Sequence, residues 1–91
     1  MPNRAVLVRL LQNQASRAEQ AGEGRRALDL YVRMTTMAPA YPHAWWHRAR
    51  LELVDHEITA ARGSLGAILE ITRDPVLRRR VMDTLGALPA S

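Results

Sequence analysis

The chain has 91 residues, 47% of them hydrophobic and 24% charged, a balance that excludes intrinsic disorder and fits one small domain with a thin core. It contains no cysteine, which excludes disulfides, thiolate metal sites and cysteine nucleophiles, and no apolar run approaches the ~20 residues that cross a bilayer. The net charge of +4 comes from 13 basic and 9 acidic residues; the basic ones are all arginine and mostly interleaved with acids, so nucleic-acid binding is not expected. No charged-then-apolar leader opens the chain, and a cytoplasmic, unprocessed protein is the expectation.

Strand signals are weak, with no sustained alternation and no Asn-Gly or Asp-Gly turn, whereas helical spacing recurs throughout. A first helix is predicted from the N-cap residue Asn3 to about Ala21, with Val6, Leu7, Leu10, Leu11, Ala15 and Ala18 on one stripe. Gly22 and Gly24 break it. A second, about Arg25 to Met37, turns Ala27, Leu28, Tyr31, Met34 and Met37 inward and ends ahead of Pro39. The third runs from Pro42, suited to a first helical turn, to about Asp55, with Trp45, Ala49 and Leu53 on one face. A fourth spans about Glu57 to Thr72. Asp74-Pro75 then pairs an N-cap acceptor with a first-turn proline and starts a fifth helix, carrying Leu77, Val81, Leu85 and Leu88, that ends before Pro89.

An internal repeat decides how these helices are organised. Leu11 and Trp45, Ala15 and Ala49, Ala27 and Ala61, Tyr31 and Leu65, and Met34 and Ile68 are each 34 residues apart. Alanine on both partners lets two helices approach closely, and the bulky residue four positions later fills the remaining gap. The period and these positions resemble the tetratricopeptide repeat, whose pattern is Trp-x2-Leu-Gly-x2-Tyr, then Ala-x3-Phe, then Pro. Unit one reads Leu11-x2-Gln14-Ala15-x2-Ala18, Ala27-x3-Tyr31, Pro39; unit two reads Trp45-x2-Arg48-Ala49-x2-Glu52, Ala61-x3-Leu65. Gly22 fits the turn glycine, His56 stands at its equivalent, and Gln14 and Glu52 replace apolar positions.

The resemblance implies an all-α fold of two antiparallel helical hairpins, at about 8–41 and 42–73, plus a capping helix at about 75–88, wound as a right-handed superhelix within one domain. A narrower resemblance covers nearly the whole chain. The succession "VLVRLLQNQ", "EQAGEGRRALDLYVRMTTMAP", "HAWWHRARLEL" and a final Arg-rich helix is similar to the C-terminal repeat region of bacterial transglutaminase-like proteins of the SirB type. In that family the repeats follow a papain-like domain and carry no catalytic residues. Two functions follow as expectations: a non-catalytic module that binds a peptide or helix, and an accessory tail that packs on its own catalytic domain or mediates oligomerisation.

The stretch "HAWWH" holds both tryptophans and two of the three histidines. His43 and His47, at i and i+4, could face one metal, but Ala44 stands where a metalloprotease helix has its glutamate, and no cysteine completes a site. Exposed histidines lining a groove account for them better, and no metal is expected. The tryptophans diverge by about 100° round the helix. Trp45, at the repeat's first core position, is expected to pack against Ala27, Tyr31, Ala61 and Leu65. Trp46, one step round, is expected on the concave face between Arg9, Gln12 and Arg50, as a recognition anchor. The register gives the partner-binding set Arg9, Gln12, Ser16, His43, Trp46, His47 and Arg50, with arginines beside an aromatic suited to an acidic ligand.

Nothing points to catalysis or a cofactor: there is no nucleophile elbow, no phosphate loop and no strand-end carboxylate pair. Arg78-Arg79-Arg80 is read as a solvated helix face. Gly63 and Gly66, inside the fourth helix, are read as close-approach points for the last one. Two hairpins and a cap leave one end under-covered, so self-association, or contact with an adjoining domain, through Val6, Val8 and Leu10 of the first helix is a further expectation.

Overall fold

Asn3 starts the first helix as its N-cap, its Oδ1 accepting the Val6 amide at 2.9 Å. In the computed structural model, which describes residues 3–89, five α-helices follow in order: α1 Arg4–Gln20, α2 Gly24–Met37, α3 Pro42–Val54, α4 Ile58–Ile71 and α5 Pro75–Ala87. Pro42 and Pro75 occupy first-turn positions, where a missing N–H costs nothing. Asp74 caps α5 by accepting the Val76 amide at 3.0 Å. The fold is all-α, and each helix begins and ends within a residue of its predicted limit.

Two of the turns are copies of each other. After α1, the amides of Ala21 and Glu23 donate to the carbonyls of Arg17 and Ala18; after α3, those of Asp55 and Glu57 donate to Leu51 and Glu52. In each case the second bond is the six-to-one closure of a Schellman cap, which requires a left-handed residue inside it. Gly22 and His56 supply that residue, at φ 76° and 61°. The second link after each pair begins alike, with the Ala38 amide on Met34 and the Thr72 amide on Ile68.

Among the described residues the backbone of each helix comes close only to that of its neighbours in the chain, in a slab 42 × 30 × 18 Å across. A thickness of that order is two helix layers. Ala15, Ala27, Ala49 and Ala61 are each at most 1% exposed, so the small residues do sit where helices meet. One apolar cluster joins α1, α2 and α3 around Leu11, Leu28, Tyr31 and Met34; a second joins α3, α4 and α5 around Ala49, Leu65, Ile68 and Val81. Helix α3 lies between them. It therefore buries two faces, Ala44 and Leu51 toward the first cluster and Ala49 toward the second, where one face through Trp45, Ala49 and Leu53 was expected.

A polar network crosses the middle of the slab. Glu52, 5% exposed, accepts from Ser64 Oγ at 2.6 Å and Arg48 Nε at 3.3 Å, and Arg48 Nη1 donates to Thr35 Oγ1 at 2.9 Å. Thr35 in turn donates to the Val32 carbonyl. This chain of bonds ties α2, α3 and α4 together and explains how charges stand at positions the repeat pattern fills with apolar residues. A buried carboxylate is tolerated because it is paired and hydrogen-bonded.

The glycines of α4 are not close-approach points. A Cβ built on Gly63 or Gly66 meets nothing within 4 Å, because α5 packs through Val81 and the neighbouring Leu77 and Leu85 on Leu65 and Ile68 rather than across the glycines. No helix among the described residues is long and apolar enough to cross a membrane.

Candidate partner-binding surface

Side chains of α1, α2 and α3 meet at one charged centre. The Glu19 carboxylate accepts from the Tyr31 hydroxyl at 2.8 Å and from Arg50 Nη2 at 2.8 Å. Arg50 Nη2 also lies 3.1 Å from His47 Nδ1. A guanidinium only donates, so this bond keeps Nδ1 as an acceptor and puts the ring proton on Nε2. The His47 ring stacks on Tyr31 with centroids 5.0 Å apart and planes 17° from parallel. Three helices thus share one cluster, and α1 and α3, whose backbones do not pack together, are bridged by the Glu19–Arg50 pair.

Each titration in the cluster has a physical cause. Burial pushes the Glu19 carboxyl up, but hydrogen bonds from Arg50 and Tyr31, with the charges of Arg50 and His47, outweigh it and leave the group below its ordinary value. Tyr31 is pushed up to about 12 by burial and then by its bond to anionic Glu19, with the Arg50 charge acting the other way. His47 is pushed down, first by burial and then by the Arg50 charge, against the pull of Glu19.

Two pockets flank this centre. One, of about 530 Å³, is lined by Arg4, Ala5, Val8, Arg9 and Gln12 of α1 and by Ala38 and Tyr41 of the link before α3. The other, of about 330 Å³, is lined by Trp46, Ala49, Arg50 and Leu53 of α3, Leu65 of α4 and Thr84 of α5. The seven predicted residues are therefore divided. Arg9 and Gln12 belong to the first pocket, Trp46 and Arg50 to the second, and His47 to the cluster between them. Ser16 is half-buried beside Tyr31, and His43 is exposed, its ring edge-on to Tyr41 at 5.6 Å. No group of three or more metal-ligating side chains comes together among the described residues.

The two tryptophans are arranged otherwise than the spacing suggests. Trp46 does not stand between Arg9 and Gln12; it is half-buried against the second apolar cluster, with the Arg80 guanidinium 5.7 Å from its ring centre. An indole gains more by leaving water against Leu65 than by lying among charged groups on the α1 side. Trp45 is also half-buried, on the same cluster rather than against Ala27 and Tyr31. Its Nε1 donates to the Pro39 carbonyl at 2.8 Å, and the Arg48 guanidinium covers the ring at 5.1 Å. The indole N–H needs an acceptor, and the nearest one lies at the surface link.

Arg50 is not an open cation either, since Glu19 holds it. Sequence reasoning missed Glu19 as its partner, and Tyr31 as the second donor to Glu19, because nothing in the sequence joins residues so far apart. The Arg48–Glu52 pair was within reach, as opposite charges four apart on a helix. Comparison with protein-family models, with curated proteins and with solved structures finds no match to this chain.

Proposed function

We propose that this protein is a non-catalytic interaction module of the tetratricopeptide type: two helical hairpins and a cap, with the α1 and α3 faces binding a peptide or helix of a partner protein in the bacterial cytoplasm. The observation that carries this reading is the repeated pair of turns. Gly22 and His56 lie at matching positions, with matching backbone bonds around them, so the 34-residue sequence period has a counterpart in backbone geometry. Helices that rest only on chain neighbours leave one broad face of each layer uncovered, and repeat proteins bind along such faces. Both pockets and the Glu19–Arg50 bridge involve α1 or α3, as a binding face on those helices requires. An acidic ligand suits Arg4 and Arg9 better than Arg50, which is already paired.

A photoreactive amino acid placed in turn at Gln12, His43 and Asp29, in cells producing the protein, tests this. Discrete adducts with another protein should form from Gln12 and His43, and none from Asp29, which is exposed on α2. Adducts from none of the three would refute a partner-binding role for this face. A second reading, the tail of a transglutaminase-like protein or a self-associating unit, is favoured by Val6 and Leu10, 43% and 50% exposed on α1. Crosslinks from Leu10 within the same polypeptide, or between copies, would select it.

A further inference from the structure

Helix α5 is fastened on one side only. Arg78 Nη1 donates to the α4 carbonyl of Leu69 at 2.6 Å and to that of Thr72 at 3.0 Å, and Arg62 of α4 reaches the Pro89 carbonyl at the far end. No backbone packing joins α5 to α3. The space left between them is the pocket of about 330 Å³, floored by Ala49 and Leu65, each 1% exposed, and walled by Trp46, Leu53 and Thr84. The Thr84 hydroxyl donates to the Arg80 carbonyl at 2.8 Å, so it is satisfied within its own helix. The pocket is therefore largely apolar, and the Trp46 indole N–H in its wall, which has no partner among the described residues, is a donor that a guest carbonyl or carboxylate could accept from.

Its rim is positive. Arg50 lines the opening, Arg80 lies over the Trp46 ring, and no carboxylate lines the pocket. Glu19 offsets Arg50, whereas Arg80 has no ion-pair partner among the described residues. An apolar hole beside an unpaired guanidinium complements a ligand that carries a large apolar side chain and a carboxylate close together. Basic-flanked ligands are disfavoured by the same charges.

We infer that the cleft between α3 and α5 anchors a partner peptide through one bulky aliphatic or aromatic side chain, with a neighbouring Asp or Glu held by Arg80. This rests on the interaction-module reading and gives that partner a chemistry. Trp46 forms the wall on α3 and Thr84 the wall on α5, so the anchor is clamped between the two helices.

Selection of a phage-displayed library of random dodecapeptides on the full chain tests it. The enriched sequences should place Leu, Ile, Phe or Trp within two residues of Asp or Glu. A synthetic peptide from that set should lose at least about tenfold in affinity, about 1.4 kcal/mol, on Thr84→Trp, which fills the pocket, and on Arg80→Glu. The exposed Arg33→Glu on α2 should leave binding unchanged. Circular dichroism checks that each variant folds, and Arg80→Glu, at an exposed side chain, stands as the test if Thr84→Trp does not. Enriched peptides that bind both variants like the wild type would overturn the pocket and leave the module; a motif flanked by basic residues would overturn the charge assignment; no enrichment at all would overturn both readings.

Discussion

Gly22 and His56, 34 residues apart, hold the same left-handed backbone, at φ 76° and 61°. Glycine adopts it freely, whereas a residue with a Cβ is strained there by about 1 kcal/mol. His56→Gly should therefore raise stability by about 1 kcal/mol, and Gly22→Ala should lower it by about as much. Urea denaturation of the two variants reads both effects; destabilisation by His56→Gly would mean that the imidazole makes a contact worth more than the strain.

Gly63 and Gly66 lie within α4 with open space where a Cβ would be. Gly63→Ala and Gly66→Ala should each stabilise the protein by about 0.5–1 kcal/mol, through helix propensity and a less flexible unfolded chain. Each change should raise the melting temperature; because the positions are three apart on one helix, the double variant tests whether the two gains add.

Arg48 and Glu52 form a partly buried pair, with side chains 26% and 6% exposed. Arg48→Ala leaves the carboxylate with Ser64 alone and should cost about 3 kcal/mol. Replacing both, as Arg48→Leu with Glu52→Tyr, restores apolar residues at these positions and should cost far less than Arg48→Ala, or even stabilise the fold. A double-mutant cycle with Arg48→Leu and Glu52→Tyr, alone and together, measures the coupling by chemical denaturation; a double-variant loss equal to the sum of the two single losses would show that the pair contributes no specific coupling.

Acid and alkali should each weaken the Glu19–Tyr31–His47–Arg50 cluster. His47 and Glu19 bind protons less readily when folded, so the stability they contribute is complete above their ordinary values of 6.5 and 4.5 and is lost as pH falls through the lower folded values. Tyr31 behaves oppositely: its contribution is complete below pH 10 and is lost as pH rises toward about 12. Melting temperatures should fall from pH 7 to 5, and His47→Gln should flatten that slope. A slope unchanged in His47→Gln would remove His47 as its source.

The two tryptophans should differ less than their one-step rotation implies. Each is half-buried on the second apolar cluster, so Trp46→Ala should destabilise by about 2–3 kcal/mol, and Trp45→Ala by slightly more because it also breaks the bond to Pro39. Thermal melts of the pair decide; a loss below about 0.5 kcal/mol for Trp46→Ala would place that ring in solvent.

Helix limits were legible because their signals are local: Asn3, Asp74, Pro42 and Pro75 act on the amides beside them, and Gly22 ends α1 by its own conformation. The alanines at 15, 27, 49 and 61 were legible from the repeat, since close helix approach leaves room for little else. What escaped was decided between helices. The direction of Trp46 depends on α5 leaving an apolar space beside α3, and the occupation of Arg50 depends on Glu19 being brought across from another helix. Gly63 and Gly66 misled for a related reason: a glycine in a helix fits a tight crossing, but α5 crosses elsewhere.

Because, among the described residues, helix backbones approach only those next to them in the chain, the molecule has few loops to close over long distances, and its order of assembly and loss is set by position. Helix α5 has one neighbour at backbone distance, α4, and a single buried residue, Val81. Its amides should exchange with deuterium first, by peeling away from α4 while α2 and α3 remain shut, so the chain comes undone from its ends like a zip rather than melting at once.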